Sequence, residues 1–161
     1  MQVDPLLYEL HQALILKKKK LALAESCTGG ALSERIISLP GASTFFLGSL
    51  VVYDNAWKEQ FLGVSHQTMQ KYGAVSEEVV KEMVQGIFHQ TKADVAVAVS
   101  GIAGPTGGSE DKPVGTIFIA VGERKGAIDL QRIHAPSPRK NAIACAVQAA
   151  LEMLLRRVTI R

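Results

Sequence analysis

The chain has 161 residues, 47% of them hydrophobic and 20% charged, which suits one soluble domain with a real core and excludes a disordered or fibrous class. Its net charge of +3 is too small for a nucleic-acid footprint spread over the molecule. Two cysteines, Cys27 and Cys145, are too few for a disulfide framework or a zinc site, and the apolar runs stop short of a membrane span. The N-terminus lacks the order of a secretory signal, so a cytoplasmic location is expected.

Asp4-Pro5 reads as a helix start, with Leu6, Leu7, Leu10 and Leu14 at helical spacing up to the lysines at positions 17 to 20. Those lysines read as a solvated helix end, where cations complement the dipole. Leu21-Ala22-Leu23-Ala24 then suits a strand covered on both faces, and Leu32 and Ile36 give the following segment helical spacing. Between them lies Glu25-Ser26-Cys27-Thr28-Gly29-Gly30, a strand-to-helix junction that gathers hydroxyls, a thiol and helix N-terminal N–H groups at the carboxyl edge of a sheet. Two readings stand open for it: Ser26 or Thr28 caps the helix and the glycines give close packing, or Ser26 is a nucleophile with Cys27 as its neighbouring rival.

Gly48 to Asp54 reads as a second strand, ending in Tyr53, Asp54 and Asn55 with Lys58 a little beyond, near a helix start. Ser65 opens a short helix that Gly73 closes, and Ser76 opens a longer one with an apolar stripe at Val79, Val80, Met83, Val84, Ile87 and Phe88. Val95 to Ser100 is the most hydrophobic strand and so the expected centre of the sheet. Gly101-Ile102-Ala103-Gly104-Pro105-Thr106-Gly107-Gly108 is a glycine loop without helical pattern, suited to close backbone approach to a ligand. Thr116 to Val121 and Ile128 to His134 flank a hairpin turn, so the fourth strand is expected antiparallel to the first three. Ser137-Pro138 is expected to cap a last helix with Ile143, Val147, Leu151, Leu154 and Leu155 on one side. The predicted fold is α/β, a three-layer α/β/α domain over residues 1–161 with a mixed five-stranded sheet.

In that topology the loops beginning at Ser26, Tyr53 and Ser100 converge at one sheet edge. His11, His66 and His89 fall on predicted helices and His134 ends an outer strand, so a serine mechanism needs another base, and Lys58 is the candidate, with Tyr53 to orient it or relay a proton. No two His, Cys, Asp or Glu positions show ligand spacing on predicted neighbours, so neither a metal nor another cofactor is expected.

Ala24 to Gly30, Val51 to Lys58, Leu62-Gly63-Val64, Gly73-Ala74-Val75-Ser76, Ser100 to Pro105 with Gly107-Gly108, and Lys112 to Gly115 together resemble the CinA C-terminal domain family, the nicotinamide-nucleotide amidohydrolase group. The resemblance runs from about Leu21 to Leu155. It implies hydrolysis of the carboxamide of nicotinamide mononucleotide to the carboxylate and ammonia, in pyridine-nucleotide recycling, by a homo-oligomer of the stand-alone form. It implies Ser26 as nucleophile with Tyr53 and Lys58 as activating residues. It also implies a substrate site drawn from Thr28, Gly29, Gly30, Asn55, Ser100, Gly101, Ala103, Gly104, Gly107 and Gly108. The chain departs from the pattern at Ser49, where many relatives have glycine, and at Ile143, where many have arginine. Arg139 and Lys140 sit in the first turn of the last helix, where cations oppose the dipole; a bound phosphate would account for Arg139, and side chains curled into solvent are the alternative. The rival function is a non-catalytic module that binds a nucleotide or phosphate in the same crevice to regulate a partner.

Overall fold

The structure, a computed structural model, describes residues 2–160. Helix α1 (Pro5–Leu16) leads into β1 (Leu21–Glu25), α2 (Ala31–Ile37), a single 3₁₀ turn at Ala42–Thr44, and β2 (Phe46–Val51). Helices α3 (Asn55–Leu62), α4 (His66–Tyr72) and α5 (Glu77–Gln90) precede β3 (Val95–Gly101), the hairpin β4 (Thr116–Glu123) and β5 (Ile128–His134), and α6 (Arg139–Thr159). The strands form one sheet in the order β2-β1-β3-β4-β5. β1 pairs in parallel with β2 and β3, while β4 is antiparallel to both β3 and β5. The fourth strand is therefore the reversed one, as the loop before it and the hairpin after it predict.

The period-2 alternation of the central strands divides the core into two. Leu21, Leu23, Val95, Val97, Val99, Ile117, Ile119 and Val121 face α1, α2 and α6. Ala22, Ala24, Ala96, Ala98 and Ala120 face Val79, Val80, Met83, Val84 and Ile87 of α5. The first face is built from branched residues and the second mainly from alanines, so α5 packs close against the middle of the sheet. That division gives the three layers.

Several local expectations shift in detail. The second strand lies upstream of the predicted Gly48 to Asp54, because Asp54 is spent on capping α3: its Oδ2 accepts from Ala56 N at 2.9 Å. Asp4 caps α1 through Leu6 N and Leu7 N, and Ser65 and Ser76 cap α4 and α5 as read from the sequence. Ser137 does not cap α6; Pro138 stands at the N-cap with no side-chain hydrogen bond, and its ring fixes the entry into the helix instead. No helix among the described residues is long and apolar enough to cross a membrane.

Candidate active site

A cavity of about 310 Å³ opens at the carboxyl edge of the three parallel strands. Its walls come from the ends of those strands, as the topology requires: Ser26 and Cys27 after β1, Tyr53, Asn55 and Lys58 after β2, and Ser100 to Gly104 with Thr106 and Gly107 after β3. Arg139 closes one side from the start of α6, and Ala74 and Val75 close another from the turn before α5. Thr28, Gly29, Gly30 and Gly108 do not line it.

Ser26 is 7% exposed, and its N–H donates to Val99 O at 3.0 Å, which continues the β1–β3 pairing past the end of the strand. Its hydroxyl forms no hydrogen bond with another described residue. It therefore does not cap α2. Neither does Thr28, whose Oγ1 donates to Glu25 Oε1 at 2.8 Å. The N-cap position of α2 is Gly30, at φ +107°, preceded by Gly29 at +57°; this double left-handed turn is what lets the chain reverse from strand to helix within a few residues.

The cap is supplied instead by Glu25, the last residue of β1, which is fully buried. Its Oε1 accepts from Leu32 N at 2.8 Å and its Oε2 from Ser33 N at 3.3 Å and Ser33 Oγ at 2.5 Å. Ser49 Oγ on β2 adds a further hydrogen bond to Oε2 at 2.9 Å. The orphan N–H groups of α2 are thereby used inside the protein rather than offered to a ligand. Sequence reasoning passed over Glu25; the available signal was an acid ending an otherwise apolar strand.

Lys58 lies in the second turn of α3 and is 1% exposed. Helical side chains lean toward the N-terminus, so its stem runs back along α3 and brings Nζ to the chain that enters the helix. Nζ donates to Val52 O at 3.0 Å, to Tyr53 O at 3.1 Å and, weakly, to Asn55 Oδ1 at 3.5 Å. Burial pulls its pKa below the ordinary lysine value, and the nearby Asp54 carboxylate opposes that pull. The two short contacts hold two hydrogens, so the third tetrahedral direction carries either the third proton or, in the neutral amine, the lone pair.

Cys27 shares the cavity wall but has different chemistry. Burial pushes its thiol up to about 12, against the opposing influence of its own backbone N–H and the Lys58 and Arg139 cations. It is a neutral thiol near pH 7.

Ser100 turns its hydroxyl onto Ala74 O at 3.0 Å, tying the end of β3 to the turn before α5. At Gly101 a Cβ would meet Ile117 Cγ1 at 2.7 Å and Thr116 O at 3.0 Å, so only glycine lets the loop leave the sheet this closely. Beyond it, the N–H groups of Gly104, Thr106 and Gly107 have no acceptor among the described residues and are free to face a ligand. Arg139, the first residue of α6, donates from Nη1 to Gly104 O at 2.8 Å and from Nη2 to Tyr53 Oη at 2.7 Å. The 59% exposed Tyr53 is thus clasped to the glycine loop across the cavity mouth. Of the lining residues, Cys27, Ala74 and Val75 were not singled out as substrate contacts from the sequence, although Ala74 and Val75 lie in one of the stretches that carry the family resemblance; Ile102 and Thr106 belong to the glycine loop already read as facing a ligand. Among the described residues no group of three or more His, Cys, Asp or Glu is placed to hold a metal ion.

A family model described as the CinA C-terminal domain matches residues 3–158. A CinA-like protein of Pseudothermotoga lettingae is 50% identical over 134 residues, covering 81% of this chain and 33% of the relative. One of Syntrophomonas wolfei is 41% identical over 153 residues, covering 95% of this chain and 36% of the relative. The chain thus spans about a third of the length of these curated relatives. Among solved structures, a competence damage-inducible protein A from Klebsiella pneumoniae superposes with a TM-score of 0.91 at 35% identity, covering 95% of this chain and 94% of that one. A CinA superfamily protein from Enterobacter cloacae does so with a TM-score of 0.91 at 33% identity, covering 99% and 97%. By the extent of the family match and the identity to these structures over nearly their whole length, the chain belongs to the CinA C-terminal domain family.

Proposed function

We propose that the chain hydrolyses the carboxamide of nicotinamide mononucleotide to the carboxylate with release of ammonia, a reaction of pyridine-nucleotide recycling. The observation that carries this reading is the pairing of chemistries in one cavity: a serine hydroxyl with no hydrogen-bond partner among the described residues and a lysine deprived of water. A site that only bound a nucleotide would need the glycine loop and Arg139, but would have no use for a desolvated lysine lining the same cavity as an uncommitted serine.

In the proposed mechanism Ser26 Oγ attacks the amide carbon while neutral Lys58 takes the hydroxyl proton. The negative charge that develops on the amide oxygen is met by the N–H groups of the glycine loop. In the Thr28 to Gly30 turn, Gly29 N donates to Ser26 O at 3.1 Å and none of the three residues lines the cavity, so the turn is not given this task. Lys58 returns its proton to the leaving ammonia, breaking the C–N bond and leaving an ester on Ser26. Water then attacks that ester with Lys58 again as base, and the proton returns to Ser26. Arg139, at the cavity rim with two of its guanidinium nitrogens already on Gly104 and Tyr53, is assigned to the phosphate, for which its planar fork is suited.

The test is ammonia release from nicotinamide mononucleotide by the purified chain and by Ser26→Ala. The expected result is turnover by the wild type and a loss of about a thousandfold or more in the variant, the scale of a missing nucleophile. Binding of the nucleotide without ammonia release by the wild type would replace the amidase with the regulatory binding module.

A further inference from the structure

Glu25 lies directly before Ser26 yet takes no part in the mechanism above, and its surroundings are unlike those of a solvated acid. We propose that Glu25 is the positioning residue of the serine: its carboxylate locks the Ser26 to Gly30 turn in place by joining β1, α2 and β2 at one buried point. The inference rests on Ser26 being the nucleophile.

The geometry is specific. Oε1 binds the turn itself through Thr28 Oγ1 and the first turn of α2 through Leu32 N, both at 2.8 Å. Oε2 binds α2 again through Ser33 and reaches across to Ser49 on the neighbouring strand. A carboxylate has about four lone-pair sites, and here they receive five hydrogen bonds, from two backbone N–H groups and three hydroxyls. Every one of those donors lies on an element that flanks Ser26 in sequence or in the sheet. On its other side Ser26 is pinned by its own N–H to Val99 O. The residue that must attack is thus held between a ladder hydrogen bond and the Glu25 network, while its hydroxyl is left without a partner among the described residues.

The arrangement also explains why an acid occupies this place instead of a serine or asparagine cap. The N-terminus of a helix favours an anion, and a glutamate anchored on the preceding strand can satisfy two of its N–H groups while keeping its charge out of the cavity. A Ser26 cap would have given the same helix its acceptor at the cost of the nucleophile. The negative charge also works against a thiolate at Cys27, since Glu25 is among the groups that raise that thiol. The Glu25 network leaves the serine free, while the cysteine is kept protonated chiefly by its own burial.

Glu25→Gln tests this directly. The amide keeps the shape and one acceptor oxygen, but its NH₂ replaces Oε2 and faces the Ser33 N–H, donor against donor. Two readings are taken on wild type, Glu25→Gln and Ser33→Ala: the folded fraction at assay temperature by circular dichroism, and kcat and KM for nicotinamide mononucleotide per folded molecule. Ser33→Ala removes only the hydroxyl contact and keeps the test valid should the glutamine variant not fold. The expected result is a fall in kcat of about ten- to a hundredfold for Glu25→Gln and about three- to tenfold for Ser33→Ala, with KM within about threefold, since a displaced nucleophile slows chemistry while leaving binding in place. A loss confined to the folded fraction, with kcat per folded molecule within about twofold of wild type, would make Glu25 a purely structural cap and overturn the inference while leaving the amidase standing. A wild type that releases no ammonia would overturn both.

Discussion

Lys58 is a cation that folding takes almost wholly out of water, and its chemistry follows from that. Desolvation disfavours the ammonium, so the neutral amine becomes accessible at lower pH than for a surface lysine. If it serves as the base, kcat/KM rises with pH through a group titrating below 10.5, because the active form is the deprotonated one. Lys58→Arg preserves charge and much of the stem but cannot lose its proton, so it should be about a hundredfold or more down at every pH and should lack the rise. Rate profiles of the two proteins decide it; an arginine variant that keeps both activity and profile would remove Lys58 as base. The same reasoning sets Cys27 aside as the nucleophile: with a thiol pushed up to about 12, only about one molecule in 10⁵ carries the thiolate at pH 7. At this scale the sequence was readable for placement: Ser26 and Lys58, read as converging at one sheet edge, line the same cavity. At Glu25 the only signal was an acid ending an apolar strand, and its role emerges from the five donors gathered around it.

Helix α3 carries Lys58, and what sets its position is its contact with α5. Gly86 of α5 lies so close that an added Cβ would meet Leu62 O at 2.1 Å and Leu62 C at 2.8 Å, backbone atoms at the end of α3 that cannot rotate away. Gly86→Ala should therefore push the two helices apart, despite alanine's better helix propensity of about 1 kcal/mol, because overpacking a close contact costs typically about 1–3 kcal/mol. The expected outcome is a lower melting temperature together with a reduced kcat/KM, as the shift reaches Lys58 through α3. A variant more stable than wild type in thermal denaturation would show that the helices have room to part. The elements themselves were largely legible: apolar strands, capped helices and a hairpin give the strand directions, and the glycine loop marks the exit of the central strand. What stayed faint was α3, legible only as a helix start near Lys58, because only Leu62 and Lys58 of its eight residues are buried. A helix whose inward face includes a lysine has no hydrophobic period to read. The bounds of β2 were hidden for a related reason: its burial pattern has no clean alternation, and at its end Tyr53 and Asp54 look like a continuation of the strand until Asp54 is seen capping the next helix.

Across the described residues the two basic groups that the fold buries against their charged forms stand in different layers. Lys58 belongs to the α3 and α5 side, whereas His11 of α1 packs edge-on to Phe45, their ring centroids 4.7 Å apart, on the side of α1, α2 and α6. His11 is 1% exposed; Nε2 meets Ile36 O at 3.0 Å, where it serves as the donor, and Nδ1 has no hydrogen-bond partner. A second proton would have to enter at Nδ1 without an acceptor, so burial holds the folded pKa below the ordinary 6.5, against the smaller opposing effect of the Ile36 carbonyl. The sign then follows from proton linkage: between the folded value and 6.5 the unfolded chain binds more protons, so stability is present above 6.5 and lost as the pH falls below it. The carboxylate of Asp4, held below its ordinary value chiefly by its hydrogen bond from Arg35, also lends stability that is lost as the pH falls through 3.8, below the pH 5 to 7 range in which His11 is read. Melting temperature measured from pH 7 to pH 5 should therefore fall for the wild type. In His11→Gln, which keeps a nitrogen donor for Ile36 O but cannot titrate, the curve should be flatter over the same range whatever its offset at pH 7. Parallel curves for the two proteins would show that acid sensitivity arises elsewhere, and that the unpartnered nitrogen is simply tolerated by the core.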